Sequence, residues 1–168
     1  MTKGKKQGAW NELPGRPEER RPVRLNLGAG VEALGDGWVN VDVRPGPGVQ
    51  VVWDLRLEPW PFDDGSVAEI RAFEIIEHLP ALIPFMDECW RILRPGGKLT
   101  MRTALAGTAN AWRDPTHVRS YLPDSFEYLD PDKHWHLWGR LYTERYWKVV
   151  SVAMVGHDAF TVVMEPRK

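Results

Sequence analysis

Apolar positions come in short runs along this chain, and glycine, proline or aspartate closes most of them. Val23 to Leu27 is the first run and leads into Gly28-Ala29-Gly30, which reads as a buried parallel strand and a tight turn. Trp38 to Val43 is the second, broken by Pro45-Gly46-Pro47-Gly48. Val49 to Trp53, followed by Asp54, is a third, and Val67 to Phe73 a fourth. The period then changes. Leu82, Met86, Cys89 and Leu93 share one helical face, which predicts a helix over Ala81 to Leu93. Pro80 is placed as its first-turn proline, and Arg94-Pro95-Gly96-Gly97 stops it. Lys98 to Ala104 reads as a fifth strand, and residues 106 to 147 are irregular and aromatic. Lys148 to Val155 and Ala159 to Met164 flank Gly156-His157-Asp158 as a hairpin. Strands alternating with helical pattern, closed by a hairpin, predict a mostly parallel α/β sheet with an antiparallel strand near one edge.

The length of 168 residues suits one domain with its own core. Residues 1–22 carry glycine, proline and charge without periodicity, so they are expected to form a flexible tail ahead of a domain over 23–168. The basic start holds no signal-peptide apolar run, and no stretch has the length of a membrane helix, so the expected location is cytoplasmic. One cysteine, Cys89, excludes an internal disulfide; its place on the helical face makes it a core residue. A net charge of −1 argues against bulk nucleic acid, without excluding one nucleotide end held in a pocket.

In open α/β sheets ligands bind at the carboxyl ends of the strands. Gly28 and Gly30 lie there, where missing side chains let a ligand approach the backbone. Asp42 ends the second strand, where a carboxylate can accept both hydroxyls of a ribose, and Asp54 ends the third, within reach of an adenine amino group. Only Val31 to Gly37 separate Gly30 from Trp38, so a helix of ordinary length does not fit this first crossover. A dinucleotide needs that helix N-terminus for its pyrophosphate. S-adenosylmethionine has no phosphate and does not.

The ordered series LNLGAG, VNVDV, VVWDL, PFDDGSVAEI, IIEHLP and ILRPGGKL, over about residues 24–104, resembles the motifs of class I S-adenosylmethionine-dependent methyltransferases. The resemblance implies a Rossmann-like sheet of seven strands, here with a shortened first crossover, and a cofactor over Gly28, Gly30 and Asp42. The candidate cofactor contacts are Asn26, Gly28, Ala29, Gly30, Asp42, Val43, Asp54, Leu55, Phe73 and Glu74.

Glu74, Glu77 and His78 share a face if a helical turn starts there, and two carboxylates with an imidazole can bind a divalent ion. This ExxEH segment resembles those of small-RNA 2′-O-methyltransferases and ubiquinone-pathway O-methyltransferases. Asp114 to Phe126 resembles a later segment of the second group, which implies His117 as a fourth ligand for Mg2+, Mn2+ or Zn2+. Without metal, His78 or His117 can serve as general base. His134 and His136 are expected to be structural or lid residues. Trp112, Trp135, Trp138, Tyr142 and Trp147 either line a substrate pocket or form the core beneath a long loop.

The favoured function is O-methylation of a small-molecule hydroxyl, with or without metal. Two others stand beside it: an inactive S-adenosylmethionine-binding subunit, working with a partner protein or as a homo-oligomer, and an NAD(P)-dependent oxidoreductase.

Overall fold

The computed structural model describes residues 23–168, so the expected tail over 1–22 lies outside the described residues. Seven strands form one sheet: β1 (Val23–Leu27), β2 (Trp38–Asp42), β3 (Val51–Val52), β4 (Val67–Phe73), β5 (Leu93–Ala104), β6 (Trp147–Val155) and β7 (Ala159–Pro166). Their order is β3-β2-β1-β4-β5-β7-β6. The first five run parallel, and β7 pairs antiparallel with both β5 and β6. The order reverses between β1 and β4, which places the switch-point crevice above their carboxyl ends.

Among the described residues, the N-terminal half of the sheet has no helix. Residues 28–37 join β1 to β2 through turns, in agreement with the short first crossover. β3 is two residues long, shorter than the expected Val49 to Trp53, because only Val51 and Val52 pair with β2. Single amide bonds extend its ladder at either end, from Gln50 to the Asn40 carbonyl and from Trp53 to the Asp42 carbonyl.

Helix α1 (Leu82–Ile92) crosses from β4 to β5. It buries Phe85, Met86, Cys89 and Ile92, while Leu82 is half-buried at its start. The helix begins one residue later than expected, so Pro84, not Pro80, is its first-turn proline; an amide there has no intrahelical acceptor to lose. Leu93 then turns extended and opens β5 itself. Arg94 to Gly97 loop out of the β4–β5 ladder as an irregularity between the Val67–Leu93 and Glu69–Lys98 pairs. Gly97 is required there, since a Cβ would meet the Arg94 carbonyl at 2.9 Å and the Ala68 carbonyl at 3.1 Å.

A buried ion pair fastens the long β3–β4 connection to α1. Glu88 accepts from Arg91 at 2.7 and 2.8 Å and from the Trp60 amide at 2.6 Å, and Arg91 also donates to the Phe62 and Trp60 carbonyls. Cys89 beside it is fully buried, and burial pushes its thiol well above the ordinary range.

The aromatic stretch after β5 contains helix α2 (Ala109–Arg113), a 3-10 segment (Pro123–Leu129) and helix α3 (His136–Gly139). The expected aromatic set divides here. Trp147 is core, and Trp112 is exposed beside His117. Trp135 stacks on Tyr128 with centroids 5.6 Å apart, and Trp138 and Tyr142 stand exposed next to them. His134 packs edge-on against Trp135 and Trp138, and His136 against Tyr146. No helix among the described residues is long and apolar enough to cross a membrane.

Candidate active site

Two clefts meet at the carboxyl ends of β1 and β4. The first, of about 190 Å³, is lined by Gly28, Asp42, Val43, Trp53, Asp54, Leu55, Arg56, Ile75, His78 and Leu79. Gly28 is needed twice over: its φ is +66°, and a Cβ would lie 2.8 Å from the Ile75 side chain. Asp42 is held by backbone alone. Oδ2 accepts from the Gly30 amide at 2.8 Å and Oδ1 from the Arg44 amide at 2.9 Å. Each oxygen keeps a lone pair, so the fixed carboxylate can receive two more donors from a ligand.

The structure divides the ten expected cofactor contacts. Gly28, Asp42, Val43, Asp54 and Leu55 line this cleft. Gly30 serves it through its amide on Asp42. Asn26 is buried beneath it and joins Asn40, the Glu32 carbonyl and Arg71 in a polar network that holds the 28–37 turn. The Ala29 amide continues the sheet to the Val41 carbonyl. Phe73 lies between the guanidinium groups of Arg71 and Arg102, 4.0 and 4.6 Å from its centroid. Asp54 is gripped by Arg56 through Nε at 2.9 Å and Nη2 at 2.7 Å, which holds its carboxyl below the usual range. An adenine amino group would share Asp54 with that guanidinium.

The second cleft, of about 450 Å³, is lined by Glu74, His78, Asn110, Arg113, Asp114, Pro115 and His117. His78 thus belongs to both. It sits on a 3-10 turn (Ile76–His78) beyond β4, and the chain reaches that turn through Glu74, a non-glycine residue at φ +52°. Arg102 holds Glu74 in place, its carbonyl accepting the Glu74 amide at 2.9 Å and its Nε donating to the carboxylate at 2.6 Å. A left-handed glutamate costs about 1–2 kcal/mol, so these bonds offset strain next to the crevice.

The distant segment docks on the same turn. The Glu77 carbonyl accepts the amides of Val118 at 2.9 Å and Arg119 at 3.2 Å, and Arg119 Nε donates to the Pro80 carbonyl at 2.6 Å. This brings the His117 and His78 rings to 4.7 Å, edge to face. Thr116 donates its hydroxyl proton to Asp114 at 2.7 Å, so it accepts from His78 Nδ1–H at 2.9 Å. His117 Nδ1–H donates to the Ala111 carbonyl at 3.1 Å. In the neutral form of either ring, Nε2 then carries the free lone pair. The Thr116 hydroxyl and amide hold the Asp114 carboxyl below its ordinary range.

Of the four expected metal ligands, the structure brings His78 and His117 together and adds Asp114; one ligand atom from each lies within 4.8 Å of the others. Glu74 lines the cleft but is paired with Arg102. Glu77 points inward at 1% exposure, and neither carboxylate oxygen has a hydrogen-bond partner among the described residues. Burial, then the neighbouring Glu74 charge, pushes its carboxyl up to about 7. Sequence reading missed Asp114, although an aspartate two residues before a threonine is a visible turn signal.

The strand order, the reversal between β1 and β4 and the C-terminal antiparallel hairpin make this the Rossmann-like fold of class I methyltransferases. A family model described as a methyltransferase domain matches residues 43–101, which include Asp54, Glu74, Glu77 and His78 but neither Asp42 nor the 114–117 segment. A Mycolicibacterium smegmatis protein named "Probable S-adenosylmethionine-dependent methyltransferase" is 36% identical over 83 residues, 47% of this chain and 29% of that protein. The chain thus spans under a third of that relative's length. Among solved structures, a SAM dependent methyltransferase from Archaeoglobus fulgidus superposes with a TM-score of 0.59 at 12% identity, covering 86% of each chain. A 16S rRNA (adenine(1408)-N(1))-methyltransferase from Catenulisporales acidiphilia, solved with cosubstrate SAM, gives a TM-score of 0.57 at 15% identity, covering 90% of this chain and 89% of that one.

Proposed function

We propose that residues 23–168 form an S-adenosylmethionine-dependent methyltransferase domain that acts in the cytoplasm on a hydroxyl of a small molecule. The observation that carries this reading is the position of His78, shared by a nucleoside-sized crevice and a polar cleft. The first cleft suits the cofactor: Asp42 receives the ribose hydroxyls, Val43, Leu55, Ile75 and Leu79 supply apolar walls, and Gly28 lets Ile75 pack against the backbone where a Cβ would stand. The bound cofactor supplies an electrophilic sulfonium methyl. The chain's own task is to align the acceptor and take its proton. We assign that proton to His78, a reading supported by a free Nε2 and an Nδ1–H fixed by Thr116 and Asp114. His117 is set the same way by Ala111.

His78, Asp114 and His117 also fit a divalent cation such as Zn2+, Mn2+ or Mg2+. Two imidazoles oriented through their Nδ1–H groups and one carboxylate are a familiar three-ligand set with open positions. A cation there would lower the pKa of a hydroxyl bound to it. The oxidoreductase reading loses support, because no helix faces the crevice from residues 28–37.

Calorimetry with S-adenosylmethionine, S-adenosylhomocysteine and NADH tests the cofactor. Binding of the first two without the third is expected, and tight NADH binding would overturn the assignment. Transfer of labelled methyl to a panel of hydroxylated metabolites, with and without chelator, tests the rest. Cofactor binding without transfer to any member would favour an inactive subunit, and full activity in chelator would remove the metal.

A further inference from the structure

The sheet has two edges, and the chain treats them differently. At one edge β3 is two residues long and follows a turn with Pro45 and Pro47, so little backbone is open to another strand. At the other edge β6 is nine residues long and pairs only with β7 among the described residues. From Val149 to Val155 it has no charge and no proline. Val150, Val152, Met154 and Val155 are 41–51% exposed. The one protective device is an irregularity between Val149 and Ser151, which leaves Ser151 to Val155 in regular register.

We propose that β6 pairs antiparallel with β6 of a second copy, forming a twofold dimer with one continuous sheet. An edge strand left bare and free of charge over seven residues is a template for another strand, and a twofold contact presents the same patch from both sides. Charge sets the direction. Lys148 is the strand's one charged residue; it stands opposite Glu165 in the β6–β7 ladder, a carboxylate that pairs with Lys98, and makes no ion pair itself among the described residues. Parallel pairing would stack the two lysines. Antiparallel pairing carries each towards the Gly156–Asp158 turn of the other copy, where Asp158 supplies a carboxylate. β5 and β7 separate this edge from the crevice strands β1 and β4, and the inference does not rest on the methyltransferase reading.

Analytical ultracentrifugation of the full chain over a concentration series tests it. A species of twice 19.3 kDa is expected. Val152→Lys, and independently Met154→Lys, should raise the dimer dissociation constant by at least about tenfold, because either buries a charge in the new ladder. Both sites are exposed, so unchanged thermal melts would show an intact fold. Lys148→Glu should weaken the dimer by about threefold, and adding Asp158→Lys should restore it. A wild-type chain that stays monomeric overturns the proposal, as does a dimer indifferent to both lysine substitutions. A Lys148→Glu loss that Asp158→Lys does not recover overturns the antiparallel arrangement.

Discussion

The two clefts that share His78 are built from different material. The cofactor-sized one is made at strand ends: backbone amides aim Asp42, and a glycine with a left-handed φ makes room beside Ile75. The other is made from side chains on a short helix and a docked turn, aimed by Thr116, Asp114 and the Ala111 carbonyl. Strand ends are fixed by the cooperative ladder of the sheet. A docked turn is fixed by a few local bonds, so it opens at lower free energy. The difference predicts that lesions in the first cleft act on folding and cofactor affinity, and that lesions in the second act on turnover.

The largest expected effect is at Gly28. Gly28→Val combines an unfavourable φ with a clash against Ile75, and should cost about 3–4 kcal/mol in urea unfolding while abolishing cofactor binding in calorimetry. Second is Glu77, buried next to His78 on the 3-10 turn. Its carboxyl stays protonated to about 7 in the native state, against 4.5 for the ordinary group. The native state therefore holds the extra proton, so stability is full below about 4.5 and declines as pH rises towards 7. Glu77→Gln should remove that slope and gain about 3 kcal/mol at alkaline pH, read from chemical denaturation against pH. Third, Asp42→Ala should weaken S-adenosylmethionine binding by about 30-fold, close to 2 kcal/mol, and lower the melting temperature, since the Gly30 and Arg44 amides lose their acceptor. The smallest is Thr116→Val, which unties His78 from Asp114. It should lower kcat by about tenfold with cofactor affinity unchanged. A Thr116→Val variant that lost cofactor affinity instead would erase the distinction between the clefts.

The same contrast governs what could be read from sequence. β1 and β4 fall on the expected residues because apolar runs stopped by glycine or a polar turn record burial directly. The hairpin and the helix-free first crossover follow from turn residues and from chain length. Asn26 illustrates the limit: an asparagine near a strand end looks the same whether it faces a ligand or, as here, locks a turn from beneath. The sequence suggests His78 and His117 together, and the fold brings their rings close, but the sequence does not suggest Asp114 and Thr116 beside them. The 114–121 segment is docked by the Glu77 carbonyl, and a backbone acceptor leaves no mark on residue identity. Glu77 itself read as a ligand because its side chain faces inward only once Ile76–His78 coils as a 3-10 turn.

Cys89 gives the molecule a clock. It is the only thiol in the chain, it is fully buried on the core-facing side of α1, and it is held as an unreactive thiol. A thiol-specific reagent can reach it only when α1 lifts from the sheet. The labelling rate of the unmodified protein therefore reports how often the β4–β5 crossover opens. The same single-site reaction, followed with and without a ligand in the crevice, measures how far binding at the strand ends slows that opening.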